Sequence, residues 1–117
     1  MPTTVLIVDD HPSFRATARA ILQADGFEVI GEAETGVAGL ESAKELQPDV
    51  VLLDVQLPDF DGFEVASRLT SNGRGPRVVL TSSRDASDFG PLVAQSGALG
   101  FVPKAELSGA ALKAVLG

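Results

Sequence analysis

The order of apolar and amphipathic segments predicts a doubly wound α/β fold, with one parallel five-stranded sheet covered by helices on both faces. Short apolar runs of strand length alternate with segments of helical spacing, five times over. This alternation favours a parallel sheet with right-handed crossovers. The chain of 117 residues fits one domain, over residues 1–117, and shows no repeat, linker or low-complexity segment.

Five segments are expected to form the strands. Four are almost purely apolar, as parallel strands buried on both faces usually are: residues 5–8, 50–53, 78–80 and 101–102. The remaining segment, residues 27–33 and second in chain order, mixes apolar side chains with Glu28 and Glu32, which is typical of an edge strand.

Helical spacing predicts the intervening helices. The first has apolar residues at i, i+4, i+7 and i+8, namely Phe14, Ala18, Ile21 and Leu22. The second covers about residues 36–46, with Thr35 as its N-cap. The third begins after Asp61 and ends at the Asn-Gly pair of residues 72–73, and the last spans about residues 106–116.

Residues 85–96 interrupt this pattern. Gly90-Pro91 stands where a full helix is expected, and proline removes a backbone donor and clashes with the preceding turn. The helix therefore either starts near Pro91 or has a loose first turn. A short helix in this segment is expected to be unusually mobile.

Composition excludes several classes of protein. Sixteen acidic against nine basic residues give a net charge of -7, which argues against nucleic-acid binding by this domain. The chain has no cysteine, so disulfides and thiolate metal sites are excluded. No run approaches the roughly 20 apolar residues of a membrane span, and the N-terminus lacks the features of a signal peptide. We therefore expect a soluble, cytoplasmic protein.

Polar side chains stand at the ends of four predicted strands. Asp9 and Asp10 follow the first strand, and Asp54 ends the third. Thr81 ends the fourth, and Lys104 follows the fifth. Each of these residues taken singly could be an ordinary turn, cap or surface residue. Because ligands of such open sheets bind beyond the carboxyl ends of the strands, their joint placement predicts a site.

The residue types at this edge indicate phosphoryl transfer to a carboxylate. Three carboxylates that lie close together repel one another, and a hard divalent cation such as Mg²⁺ relieves that repulsion through oxygen ligands. The cation and Lys104 would offset the charge of an arriving phosphoryl group. A carboxylate that acts as the nucleophile gives an aspartyl phosphate.

These motifs resemble those of the response-regulator receiver domains of two-component signalling, over essentially the whole chain. The matching segments are residues 5–12 (VLIVDDHP), 48–58 (PDVVLLDVQLP), 61–62 (DG), 81–83 (TSS) and 102–104 (VPK). The Asp-Asp-His-Pro opening is most similar to the subfamily whose members usually carry a helix-turn-helix output domain. The resemblance implies a flavodoxin-like (βα)5 fold with strand order 2-1-3-4-5.

The resemblance also implies the chemistry of the site. Asp54 is the expected phosphoacceptor, which takes the phosphoryl group from a phosphohistidine of a sensor histidine kinase. Asp10, Asp54 and the main-chain carbonyl of Gln56 are expected to hold Mg²⁺, with Asp9 behind them through water. Such a domain is a switch and not an enzyme, although it assists its own phosphorylation and dephosphorylation.

Five further expectations concern single side chains. Thr81 would turn its hydroxyl to one phosphoryl oxygen, and Lys104 would pair with another. Phe101 stands at the aromatic switch position, expected to move inward with Thr81; the alternative is an ordinary core residue at a strand end. His11 is expected to cap the loop, and Phe14 to face the core rather than the kinase.

Rival classes fit the sequence less well. An enzyme of the haloacid-dehalogenase type carries Asp-x-Asp-x-Thr after its first strand, which residues 9–12 (DDHP) do not match. A pseudo-receiver normally lacks a site residue, and none is missing here. A dinucleotide-binding unit carries Gly-x-Gly-x-x-Gly after a strand, and no predicted strand is followed by that motif. Two kinds of output fit the sequence: the chain is either a stand-alone receiver or the receiver part of a transcription regulator. The opening motif favours the second. Phosphorylation is expected to promote a homodimer through an apolar stripe of Leu112 and Leu116.

Overall fold

The computed structural model describes residues 2–71 and 73–117. Its strands are β1 (Thr4–Val8), β2 (Glu28–Ala33), β3 (Val50–Asp54), β4 (Arg77–Ser82) and β5 (Gly100–Pro103). Its helices are α1 (Pro12–Ala24), α2 (Gly36–Leu46), α3 (Gly62–Thr70), α4 (Leu92–Gln95) and α5 (Gly109–Leu116). Two 3₁₀ turns cover Ala86–Asp88 and Lys104–Glu106.

The five strands form one parallel sheet in the order β2-β1-β3-β4-β5. The flavodoxin-like arrangement predicted from the sequence is therefore confirmed. Residues 5–8 and 50–53 have no exposed surface, because β1 and β3 have a neighbour on each side and helices on both faces. β2 lies at the edge, where Glu28 and Glu32 remain exposed as its mixed sequence predicts.

Two apolar clusters fill the space between the sheet and its helices. On one face, Leu22 of α1 and Leu112 of α5 pack on alternate side chains of the central strands. On the other face, Ala43 of α2 and Val65 of α3 pack on the side chains in between. Full burial of each leucine or valine contributes about 1.5–3 kcal/mol to stability.

The last helix does not present the apolar stripe expected for a homodimer. Leu112 has no exposed surface, and Leu116 packs against the same cluster as α1. The expectation of an exposed stripe is therefore wrong. The spacing of four residues places both leucines on the side of α5 that faces the sheet.

Helix starts follow the capping residues. Thr35 caps α2 as predicted, since its Oγ1 accepts a hydrogen bond from Ala38 N at 3.0 Å. The predicted start of the last helix near residue 106 is wrong, because α5 begins at Gly109. Ser108 is its N-cap and accepts a hydrogen bond from Ala111 N at 3.0 Å. A hydroxyl at this position satisfies a helix amide that would otherwise lack an acceptor.

The segment around Gly90-Pro91 forms only a short helix. Gly90 takes the left-handed region with φ of 57°, and α4 follows Pro91 with four residues. Of the two alternatives, a helix that starts near Pro91 is confirmed, while its mobility stays a prediction. At the other predicted break, α3 ends at Thr70, and Asn72 lies outside the described residues.

The start of α3 touches the end of β3 so closely that only glycine fits. Gly62 N donates a hydrogen bond to Val55 O at 2.6 Å. A Cβ on Gly62 would collide with the carbonyl oxygen of Asp54 and lie 2.7 Å from Val55 Cα. Both neighbours are backbone atoms, so relief requires movement of the strand end that carries Asp54.

We expect Gly62→Ala to lower the free energy of unfolding by about 2 kcal/mol, because overpacking against backbone forces a main-chain shift. Urea unfolding followed by circular dichroism measures the change. Ser67→Ala, on the exposed side of α3, is the matched control and should stay within about 0.5 kcal/mol of the parent. An unchanged unfolding midpoint for Gly62→Ala would contradict the close contact.

Candidate functional site

The sheet brings the polar strand-end residues to one edge. Strand register places Asp54 beside Thr81, and Thr81 beside Val102. Lys104 Nζ lies 2.7 Å from Asp9 Oδ2 and 3.4 Å from Asp54 Oδ2. The residues predicted from separate parts of the sequence therefore meet at the carboxyl ends of the strands.

Asp54 is buried and carries a charge that its surroundings balance incompletely. Its side chain is 3% exposed, and its Oδ1 accepts a hydrogen bond from Gln56 N at 3.2 Å. Burial, followed by the charge of Asp9, raises the pKa of Asp54 above 3.8, while the Gln56 N–H and Lys104 oppose that rise. Further positive charge nearby would consequently stabilise the ionised form of this carboxylate.

Lys104 provides one ammonium group for two buried carboxylates. Its Nζ lies nearer to Asp9 than to Asp54, and it lies 4.5 Å from the centroid of the Phe14 ring. Phe14 also packs against the core, so the prediction that it faces the core is confirmed. Its contact with Lys104 was not foreseen, because the two residues are distant in sequence.

Two buried carboxylate oxygens lie at this edge: Asp9 Oδ2 pairs with the Lys104 ammonium at 2.7 Å, whereas Asp10 Oδ1 has no hydrogen-bond donor. Oxygen atoms of Asp9, Asp10 and Asp54 lie within 4.8 Å of one another. Three carboxylates this close together, with one ammonium group beside them, fit a hard divalent cation such as Mg²⁺.

His11 stands at the N-cap of α1, where its side chain makes no hydrogen bond to a helix amide. Its ring instead contacts the loop that it was expected to cap. Its backbone N donates to Asp9 Oδ1 at 2.8 Å, and its Nδ1 lies 3.0 Å from that oxygen and 3.1 Å from Asp10 Oδ1. The imidazole is therefore part of the acidic site.

Two residues that sequence reasoning missed hold the loops of the site. Arg15 donates from Nη1 to the carbonyl oxygen of Asp9 at 2.6 Å and from Nε to Glu32 at 3.0 Å. Asp59 accepts hydrogen bonds from the first amides of α2, Gly36 N at 2.7 Å and Val37 N at 2.9 Å. The Val37, Gly36 and Phe60 amides hold the pKa of Asp59 below 3.8. No spacing in the sequence signals these contacts, because Arg15 reaches back across the start of α1 to Asp9, and the partners of Asp59 are more than 20 residues away.

Thr81 and Phe101 are connected through β5. The Thr81 hydroxyl donates to Val102 O at 2.7 Å, so it bonds to β5 and not to Asp54. Phe101, the preceding residue, is half-buried, and its ring centroid lies 5.8 Å from that of Phe89. Phe89 in turn contacts Phe63 of α3 at 5.4 Å. Three aromatic rings thus connect β5 with α3 through Phe89, which lies in residues 87–95, the α4 segment.

Comparison with known proteins identifies the family. A model described as the response regulator receiver domain matches residues 5–116. BvgA of Bordetella pertussis, named for positive transcription regulation of virulence factors, is 44% identical over 106 residues, which are 91% of this chain and 51% of BvgA. The chain therefore belongs to the receiver domain family of response regulators, whose members are signalling domains.

Solved structures show the same fold. The signal receiver domain of NarL from Mycobacterium tuberculosis is similar with a TM-score of 0.87 and 36% identity, over 99% of this chain and 98% of that chain. CheY in the CheX–CheY–BeF3–Mg complex of Borrelia burgdorferi is similar with a TM-score of 0.86 and 26% identity, over 99% and 87%.

This chain spans about half the length of the curated relatives it matches, such as BvgA.

Within residues 2–71 and 73–117, none of the helices combines the length and the apolar character needed to traverse a lipid bilayer.

The raised pKa of Asp54 predicts how its charge affects stability. A carboxyl group with a raised pKa in the fold contributes stability below its ordinary pKa, and that stability is lost as the pH rises through the raised value. We expect Asp54→Asn to raise stability at pH 7 with a chelator present, by about 1 kcal/mol or roughly 4 °C in Tm. The gain should shrink as the pH falls towards 3.8.

Calorimetric melting curves measure this difference. Asp61→Asn is the matched control, since Asp61 is an exposed N-cap at the same edge and asparagine caps equally well. Mg²⁺ should raise the Tm of the parent more than that of Asp54→Asn. A Tm of Asp54→Asn at or below that of the parent in chelator would contradict the unbalanced charge.

Proposed function

We propose that this chain is a phosphorylation-dependent switch that takes a phosphoryl group from a sensor histidine kinase onto Asp54, with Mg²⁺ as its cofactor. The observation that carries the proposal is the buried, incompletely balanced carboxylate of Asp54. It stands beside the carboxylates of Asp9 and Asp10 and within reach of Lys104. The receiver family supports the same reading.

The residues divide the work of the reaction. Asp10, Asp54 and the main-chain carbonyl of Gln56 would hold Mg²⁺, with Asp9 behind them through water, and the ion would supply positive charge to offset that of the phosphoryl oxygens. An oxygen of Asp54 forms the new bond to phosphorus while the bond from phosphorus to the donor nitrogen breaks. Lys104 pairs with a phosphoryl oxygen and keeps the added charge balanced.

The proposed signal leaves the site through Thr81. Its hydroxyl now bonds Val102 O, and a phosphoryl group on the neighbouring Asp54 offers a more strongly charged acceptor. Movement of Thr81 towards Asp54 would release β5 and allow Phe101 to move inward. Phe101 contacts Phe89, so the change would reach the α4 segment.

The output of the switch is proposed from the relatives. BvgA is named for transcription regulation and is about twice as long as this chain. We therefore infer that the chain serves as the cytoplasmic receiver part of a transcription regulator, with DNA contacted by another domain of helix-turn-helix type. The net charge of -7 agrees with a receiver that does not itself bind DNA. Homodimerisation on phosphorylation would need a surface other than Leu112 and Leu116.

Intact-mass analysis after incubation with a small-molecule phosphodonor tests the phosphoacceptor. We expect one phosphoryl adduct that requires Mg²⁺ and is absent from Asp54→Asn. Asp61→Asn should form the adduct like the parent, because its carboxylate is exposed and lies outside the acidic cluster. The absence of an adduct under all conditions, or its persistence in Asp54→Asn, would refute the proposal.

Hydrogen exchange tests the role of Thr81. In the parent, phosphorylation should change the exchange of amides in residues 87–95, through the contacts of Phe101 with Phe89. Thr81→Ala should still form the adduct but lose this response, whereas Thr81→Ser should keep it because the hydroxyl remains. An equal response in Thr81→Ala would show that the signal does not pass through the hydroxyl.

A further inference from the structure

The only histidine of the chain lies within the acidic site, although the proposed chemistry assigns it no role. His11 is 61% exposed, and its Nδ1 faces two carboxylates. Carboxylate and carbonyl oxygens suit Mg²⁺, whereas an imidazole nitrogen suits zinc, nickel and copper. The donor set at this edge is therefore broader than a magnesium switch requires.

The distances around His11 agree with metal ligation. Ligand atoms about 2.1 Å from one ion and at right angles to each other are about 3.0 Å apart. His11 Nδ1 lies 3.0 Å from Asp9 Oδ1 and 3.1 Å from Asp10 Oδ1. All the candidate ligand atoms, including that of Asp54, lie within 4.8 Å of one another, somewhat more than the roughly 4.2 Å that separates opposite ligands.

A second observation points to a ligand at this position. Asp10 Oδ1 is buried and has no hydrogen-bond donor, although it lies 3.1 Å from His11 Nδ1. The ordinary alternative is that the His11 ring only donates a hydrogen bond from Nδ1 to Asp9 Oδ1. That hydrogen bond leaves Asp10 Oδ1 without a donor, because one ring N–H does not serve both carboxylates, whereas an ion held between the ring and the carboxylates would pair with Asp10 Oδ1 as well.

We propose that His11 makes this edge a mixed nitrogen–oxygen site, in which the imidazole ligates first-row transition ions such as Ni²⁺ and Zn²⁺ together with Asp9 and Asp10. Mg²⁺ uses only the oxygen ligands of the same site. His11 thus sets the preference of the site among divalent ions without contributing to its Mg²⁺ affinity. This inference rests on the proposed function, because it shares the Mg²⁺ site.

Calorimetric titration of Ni²⁺ and Mg²⁺ into tag-free protein tests the preference. His11→Asn keeps a good N-cap residue and removes the imidazole. We expect its Ni²⁺ affinity to fall about 10–100-fold, while its Mg²⁺ affinity stays within about twofold of the parent. Asp10→Asn is the control for a common site and should weaken the binding of both ions.

The signals of the single imidazole ring provide an independent readout. In nitrogen-15 spectra of the parent, Zn²⁺ should shift the ring nitrogen that binds it, and Mg²⁺ should leave that nitrogen near its free position. Equal Ni²⁺ affinities of the parent and His11→Asn would overturn the inference, as would Ni²⁺ binding that survives Asp10→Asn. Failure of both proteins to bind Mg²⁺ would instead count against the proposed function, and the Ni²⁺ comparison would still decide the role of His11.

Discussion

The sharing of one ammonium group by two buried carboxylates is the constraint on which the site depends. Lys104 lies between Asp9 and Asp54, both almost without exposed surface. Taking a carboxylate out of water costs several kcal/mol unless it is paired, and one lysine cannot pair fully with both. The edge therefore keeps a net negative charge in an apolar surrounding. In the proposed switch, this charge attracts the cation that accompanies the phosphoryl group.

Packing of the apolar sheet holds the two carboxylates in place. The strand residues before Asp9 and Asp54 are fully buried, so the backbone beneath the two carboxylates is fixed on both faces by packing. Hydrogen bonds then fix the loops above the sheet: Arg15 holds the carbonyl of Asp9, and Asp59 ties the loop after β3 to the start of α2. Gly62 allows α3 to start against the end of β3. Stability of the core and positioning of the charges thus come from the same elements.

Most of the fold and the members of the site could be predicted from the sequence. Buried parallel strands are continuous apolar runs, and their ends point to one edge, so Asp9, Asp54 and Lys104 could be placed together without coordinates. The direction in which a side chain points, however, depends on how the elements pack together. The spacing of Leu112 and Leu116 indicated an apolar face but not that the sheet covers it. The ring of His11 turns towards the carboxylates for the same kind of reason, since local sequence does not encode it.

The α4 segment shows why a local charge change can have a distant effect in the proposed switch. α4 has four residues and no buried side chain, so little packing energy holds it in place. Val93 of α4 packs against the same apolar cluster as α3, and Phe89, which precedes the helix, contacts Phe63 and Phe101. Segments with few buried contacts rearrange at the lowest cost in free energy. Because Phe101 precedes the residue whose carbonyl Thr81 binds, the proposed movement of Thr81 would act on a ring that contacts Phe89, just before this short helix. In the proposed switch, the rigid strands hold the charge and the weakly packed segment responds to it.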